Sequence, residues 1–189
     1  MATKRPAKKT ARKAVAKKTK ASPPSFVAKA KPAPAGSSVR SITPFLWFDN
    51  NCEAAARYYV GLFPGSRVDG MGPMGGTFTL AGQKVMALNG GPMYKHSPAF
   101  SFFVVCKDQK EVDRLWNALE GDGGTPSRCG WIDDKFGLTW QIVPEAFLRL
   151  TSDPDPKKVG AVFQAMMGMV KLDVKGLQAA YDRVGGKTK

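Results

Sequence analysis

The sequence has few side chains that bind metals or form disulfides. Its 189 residues include one histidine, His96, and three widely spaced cysteines, Cys52, Cys106 and Cys129. A structural zinc site needs four closely grouped Cys or His ligands, and a scattered, odd set of cysteines is typical of reduced thiols. We therefore expect a cytoplasmic protein with no bound metal, no cofactor and no disulfide.

Long apolar runs are also missing. No stretch of the sequence is apolar over the length that crosses a bilayer, and the N-terminus lacks the apolar core of a secretory signal. We therefore expect no membrane partner.

Acidic residues are absent from residues 1–40, which carry 12 Lys and Arg, whereas the rest of the chain is nearly neutral. This segment is rich in Lys, Ala and Pro and has almost nothing that could form a core, so we predict a disordered basic tail. Its texture resembles the tails of histone H1-like proteins. Three interpretations stay open: a solubilising tail, a transit peptide, or an arm that binds DNA or RNA by releasing counterions and associates the protein with the nucleoid.

The nucleic-acid interpretation rests on the basic residues of the first half of this tail. The candidate contacts are Lys4, Arg5, Lys8, Lys9, Arg12, Lys13, Lys17, Lys18 and Lys20.

The body of the chain repeats one order of elements. A strand starting at Ile42 and another starting at Phe100 are each followed by a helix and then by two or three strands. Each unit is too small for a core of its own. We therefore predict an α+β domain over residues 41–147, with two βαβββ units that face one another across a shared cavity and carry their helices outside the sheets.

Local signals predict the ends of several elements. Asn50 or Asn51 is suited to cap the first helix, and Asp108 the second. Ala81-Gly82 predicts a hairpin turn. The glycine-rich stretch GMGPMGG, residues 70–76, predicts a loop.

The last third of the chain begins with a predicted hairpin, Cys129 to Pro144. Asp133, Asp134 and Lys135 are predicted to form its solvated turn. Strand alternation from Leu138 to Val143 places Trp140 and Gln141 on opposite faces.

Helical patterns follow, and we predict a helical extension over residues 148–189. One helix is expected after Ser152-Asp153-Pro154 and another after Asp173. The first of these has an apolar stripe from Val159 to Val170, which is suited to core packing or to a subunit interface.

Several stretches resemble a known family. They are ITPFLWFDNNCEAAARYY, VMALNGGP, EVDRLWNAL, CGWIDDKFGLTWQIVP, SDPDPKK and KLDVKGLQAAY. They are similar to the PhnB-like family, whose members are often labelled 3-demethylubiquinone-9 3-methyltransferase, within the vicinal oxygen chelate superfamily of glyoxalase I and bleomycin-resistance proteins. The resemblance implies paired βαβββ units, a C-terminal helical extension and a homodimer.

The resemblance also indicates where a metal would bind in this superfamily. The corresponding positions are Pro44, Ser101, Gln141 and one position near Asn89. Proline offers no donor atom, and hydroxyl and amide groups are weak ligands for a divalent cation. We therefore predict no catalytic metal. No glycine-rich turn precedes a predicted helix, so nothing in the sequence supports methyl transfer from S-adenosylmethionine either.

The predicted cavity is apolar and aromatic with a few hydrogen-bonding groups, which is typical of small-molecule pockets. Its predicted lining is Trp47 or its neighbours Leu46 and Phe48, with Asn89, Ser101, Phe103, Trp131, Thr139 and Gln141. The favoured function is metal-independent binding of a small molecule, with no reaction assigned. The alternatives are a nucleic-acid-associated accessory protein tethered by its tail and, less favoured, a metal-dependent lyase or dioxygenase or the methyltransferase of the family label.

Overall fold

The computed structural model describes residues 40–185. The predicted nucleic-acid contacts Lys4 to Lys20 therefore lie outside the described residues. In chain order the elements are β1 (Phe45–Phe48), α1 (Cys52–Leu62), β2 (Arg67–Gly72), β3 (Gly75–Leu80), β4 (Gln83–Asn89), β5 (Ser101–Cys106), α2 (Gln109–Gly121), β6 (Thr125–Pro126), β7 (Trp131–Asp133), β8 (Thr139–Pro144), α3 (Glu145–Thr151), α4 (Pro156–Met167) and α5 (Val174–Gly185).

The predicted repeat of two βαβββ units is confirmed. The first unit forms a four-stranded sheet in the order β1-β4-β3-β2, and the second forms β5-β8-β7-β6. In each sheet the first strand of the unit pairs in parallel with the last, while the other pairs are antiparallel. Consequently β1 and β5 are both edge strands with one unpaired side.

Helices α1 and α2 lie between the two sheets, so the prediction that the helices of the two units lie outside was wrong. Tyr59 of α1 packs against Phe78 of the first sheet and against Trp140 of the second, with ring centroids 6.2 Å and 5.1 Å away. Arg114 of α2 donates a hydrogen bond to the carbonyl of Leu62 in α1 at 3.0 Å. The ring of Tyr59 is buried on both sides in this way, and one continuous core joins the two units.

The glycine-rich stretch predicted to be a loop belongs mostly to strands. Residues 70–72 close β2, residues 75 and 76 open β3, and only Pro73 and Met74 form the turn. A Cβ on Gly76 would lie 2.0 Å from the carbonyl oxygen of Gly70. The glycines therefore allow close approach of two backbones, which a pattern of loop-forming residues does not reveal.

The two predicted helix caps have different outcomes. Asp108 accepts a hydrogen bond from the backbone N–H of Glu111 at 2.9 Å, so the cap of α2 is confirmed. Asn51 precedes α1 but makes no side-chain cap. The amide oxygen of Asn89, at the end of β4, accepts from the N–H of Cys52 at 2.9 Å instead. This cap comes from across the fold, so no local sequence signal could indicate it.

The predicted helical extension is confirmed as α3, α4 and α5. Val143, Leu150, Val162, Leu172 and Leu177 form its own buried cluster. The apolar stripe of α4 is only partly buried within the chain, since Val159 and Val162 are buried while Phe163 and Met167 are exposed. No helix within residues 40–185 is both long enough and apolar enough to span a bilayer.

Candidate functional site

Each sheet has an open face, by which we mean the face turned away from α1 and α2. Alternation places Phe45, Trp47 and Met86 on the open face of the first sheet, and Phe103 and Val105 on that of the second. Phe45, Phe103 and Val105 are each about half exposed, at 55%, 50% and 49%. Such exposed apolar surface is unusual for a free-standing sheet and is typical of a binding surface.

Gln141 is the centre of the open face of the second sheet. Its amide nitrogen donates to the hydroxyl oxygen of Ser101 on β5 at 2.7 Å. Across the strands, Gln141 lies opposite Phe103 on one side and opposite Trp131 on the other. The hydrogen-bonding pair is therefore flanked by two aromatic side chains.

A second polar pair lies in the next row of the same face. Thr139, opposite Ser101 in the sheet, donates its hydroxyl to Oδ1 of Asp133 at 2.5 Å. The prediction that Asp133 belongs to a solvated turn was wrong, because β7 extends to Asp133 and alternation from Trp131 brings its side chain onto the face. The sequence signal for this placement was the strand alternation, which continues from Trp131 and Ile132 to Asp133 and puts Asp133 on the same side as Trp131.

Asp134 was also predicted to be solvated, and it is buried. Its Oδ1 accepts from the backbone N–H groups of Phe136 and Leu138 at 2.7 Å and 3.0 Å, and its Oδ2 accepts from the indole N–H of Trp140 at 2.8 Å. The carboxylate thus holds the turn between β7 and β8 and orients the strand that carries Gln141.

A cleft of about 510 Å³ follows the unpaired edge of β5. Its lining includes Pro44, Phe63 and Leu80 from the first unit and Phe100, Ser101 and Phe103 from the second. Within one chain the open faces point away from each other, so this cleft takes the place of the enclosed cavity predicted between the two units.

The predicted lining residues divide into two groups. Ser101, Phe103, Trp131, Thr139 and Gln141 share the open face of the second sheet. The others belong to the first sheet: Trp47 lies on its open face, Leu46 and Phe48 are in the core, and Asn89 faces α1.

Trp47 is held by the linker that joins the two units. Its indole N–H donates to the carbonyl of Gly91 at 2.8 Å, and Tyr94 packs edge-on against its ring. Because the open faces of the two sheets point away from each other, one ligand cannot touch Trp47 and Gln141 of the same chain.

The thiols of Cys52 and Cys106 lie in the core, away from this face. Cys106 is fully buried, and burial raises the pKa of its thiol to about 12. It is therefore a poor nucleophile. Cys129 is half-buried, and its sulfur lies 3.7 Å from the sulfur of Met167.

The four positions that correspond to metal ligands in the superfamily do not fit a divalent cation. Pro44 and Ser101 line the cleft, and Gln141 is bonded to Ser101, whereas Asn89 caps α1 on the other side of its sheet. Within residues 40–185, His, Cys, Asp and Glu side chains form no group of three that could hold a metal. That the protein binds no metal stays a prediction.

Comparison with known proteins connects these features to one family. A family model described as 3-demethylubiquinone-9 3-methyltransferase matches residues 40–143. Among solved structures, a PhnB protein from Bacillus cereus is 30% identical, with a TM-score of 0.49, over 56% of this chain and 99% of that one.

Two further structures match at lower identity. A protein from Pseudomonas aeruginosa is 23% identical, with a TM-score of 0.43, over 52% of this chain and 92% of that one. A possible glyoxalase from Bacillus cereus is 16% identical, with a TM-score of 0.42, over 54% and 96% of the two chains. No curated protein matches this chain significantly.

Proposed function

Since the chain belongs to the 3-demethylubiquinone-9 3-methyltransferase family, the PhnB-like branch of the vicinal oxygen chelate superfamily, we propose that it binds a small organic molecule on the open face of its second sheet. The observation that carries the proposal is the Gln141–Ser101 pair between Phe103 and Trp131. Aromatic walls around a few fixed hydrogen-bonding groups are the usual composition of a small-molecule site.

The proposal assigns binding and no reaction. The hydroxyl of Ser101 is bonded to an amide, which cannot take up its proton, so this pair lacks the base that a serine nucleophile needs. The methyltransferase chemistry in the family's name is not carried over. The glycine-rich residues 72–76 join two antiparallel strands, and the strand–turn–helix arrangement that cradles a nucleotide is not formed there.

The test is native mass spectrometry of the full chain purified from its own host. A retained small molecule, lost from the variant Gln141→Leu, is the expected result. Gln178→Leu is the matched control, because Gln178 accepts a hydrogen bond from Arg149 between two helices of the extension and is not one of the predicted lining residues. Loss of the molecule from both variants, or from neither, would contradict the placement of the site.

We also propose that two copies complete the site. The edge strands β1 and β5 each have unpaired backbone groups, and exposed apolar side chains lie beside both. Each chain has both edges. In a two-fold symmetric dimer, β1 of each copy can pair with β5 of the other, so neither of these two edge strands is left unpaired and the assembly stops at two copies. It would bring Trp47 of one copy next to the Gln141 face of the other, and so assemble the predicted lining apart from Asn89, which faces α1.

The basic tail supports a second, separable function. Its 12 positive charges without an acidic residue suit non-specific binding to DNA or RNA, which would place the protein at the nucleoid. Lys contacts position a protein on phosphates and read no bases.

A further inference from the structure

The carboxylate of Asp133 is the least satisfied charged group of the candidate site. Its Oδ1 accepts from the Thr139 hydroxyl at 2.5 Å, and Oδ2 makes no described hydrogen bond. Among residues 40–185, no Lys, Arg or His nitrogen lies within 4.0 Å of this carboxylate. Within the described residues the carboxylate therefore has the Thr139 hydroxyl as a partner and no cation.

The first sheet contains another Thr–Asp pair, between β2 and β3, in which the charge is neutralised. The Thr79 hydroxyl donates to Oδ2 of Asp69 at 2.7 Å, and Nε of Arg67 contacts the other carboxylate oxygen at 2.7 Å. In the second sheet the Thr–Asp pair is present and the cation is missing. A ligand that supplies N–H groups and positive charge would complete it, because charge-assisted hydrogen bonds are stronger than neutral ones.

The aromatic row next to Asp133 indicates the shape of that ligand. Phe103, Gln141 and Trp131 lie side by side on three adjacent strands. Neighbouring strands are about 4.8 Å apart, so the two aromatic residues are separated by about 10 Å, with the amide between them. A single planar ring spans that gap, and Asp133, two residues from Trp131 on β7, lies within reach of a substituent on the ring.

The other polar groups of the face also favour a donor. In the Gln141–Ser101 pair the amide nitrogen is engaged, so the Gln141 carbonyl oxygen is left as an acceptor. Trp131 adds a π face that attracts cations.

We propose that this face selects a planar organic cation, whose ring lies over Gln141 between Phe103 and Trp131 and whose N–H groups bind Asp133. The inference rests on the proposed binding function and adds the charge and shape of the ligand. An anionic ligand of the same size would meet the unneutralised carboxylate and be excluded.

The experiment uses three probes with the same ring and nearly the same size: benzamidine (cationic), benzamide (neutral) and benzoate (anionic). Binding to the full chain is measured by calorimetry and ligand-observed NMR at one ionic strength. Benzamidine is expected to bind at least about tenfold more tightly than benzamide, with benzoate weakest, as a charged hydrogen bond predicts.

Two variants locate the effect. Asp133→Asn keeps an acceptor for Thr139 and removes the charge, so benzamidine should fall to the affinity of benzamide while benzamide is unchanged. Asp69→Asn, the matched carboxylate already paired with Arg67, should leave the order of the three probes as it is. Melting curves of both variants confirm that they are folded.

The outcomes separate the two proposals. Equal binding of all three probes, or an Asp133→Asn variant that keeps the preference for benzamidine, would overturn the charge selection while supporting a binding face. No binding by any probe would overturn the planar-cation inference, and the proposed function would then be decided by the native mass measurement alone.

Discussion

The indole N–H of Trp140 donates to Oδ2 of Asp134 at 2.8 Å, in the interior between the two sheets. Trp140 packs on Tyr59 of α1 and on Phe63 just beyond it, while Asp134 anchors the turn that leads into β8. Burial, with the nearby charge of Asp134, raises the pKa of the Tyr59 phenol well above its usual value, so Tyr59 stays neutral. One hydrogen bond thus joins the packing of α1 to the strand that carries Gln141.

Removing this carboxylate should destabilise the fold. Asp134→Ala leaves three donors without an acceptor, two of them buried, so the free energy of unfolding should fall by about 3 kcal/mol or more. Urea denaturation measures it. Asp133→Asn is the neighbouring control, and it should cost less than about 1 kcal/mol because Asn can still accept from Thr139. Similar losses in the two variants would contradict the structural role assigned to Asp134.

A charge on the edge strand should dissociate the proposed dimer. We expect the wild-type chain to have a dimer mass by light scattering at micromolar concentration and Val105→Lys to have a monomer mass with an unchanged circular dichroism spectrum. Met74→Lys, at a residue that is 71% exposed in the turn between β2 and β3, is the control and should remain dimeric.

The exposed stripe of α4 offers the competing interface. If Met167→Lys dissociates the dimer and Val105→Lys does not, the copies associate through α4, and the pairing of β1 with β5 is wrong. A wild-type chain that is monomeric at micromolar concentration would contradict both surfaces.

Deleting residues 1–40 should abolish binding to nucleic acid. We expect the full chain to bind DNA or RNA of any sequence weakly, with an affinity that falls steeply as salt rises, because the binding free energy comes from counterion release. The truncated chain, which is close to neutral, should bind little. If the two chains bind alike, or if affinity does not depend on salt, the tail does not act as a nucleic-acid arm.

His96 should make the protein less stable at mildly acidic pH. Burial lowers its pKa below the ordinary value of 6.5, and its Nε2 is buried without a hydrogen-bond partner. The unfolded chain therefore takes up a proton more readily than the folded chain, so stability is full above pH 6.5 and decreases as the pH falls below it toward the folded pKa.

The variant His96→Phe isolates this effect. Phe keeps the edge contact with Phe48, and its melting temperature should fall less than that of the wild type between pH 7.5 and about pH 5. Because His96 is the single histidine, an NMR titration of its ring reads the folded pKa directly. A folded pKa above 6.5 would contradict the prediction.

Much of the architecture was readable from local patterns. The strand, helix and strand order, the hairpin at Ala81-Gly82, the Asp108 cap and the final helices all depend on residues close together in the chain. Side-chain alternation and helical stripes show which face of a strand or helix is apolar. Such patterns depend only on residues within one or two neighbouring elements.

The relative placement of the two units was not readable in this way. Both faces of β5 are apolar, since Phe102 and Val104 alternate with Phe103 and Val105. Either face could have been buried against a helix. The choice depends on how Tyr59 fits between Phe78 and Trp140, which are far apart in sequence.

The adjacent residues Asp133 and Asp134 show the same division most sharply. The sequence by itself determined that two carboxylates stand between two strands, and their identity carries no sign of different roles. The tertiary structure decided that Asp134 is buried among three donors, while Asp133 lies on the open face beside Gln141. The physical reason is that successive residues of a strand point to opposite sides. Because β7 ends at Asp133, the side chain of Asp133 lies on the open face, whereas that of Asp134 is buried in the core.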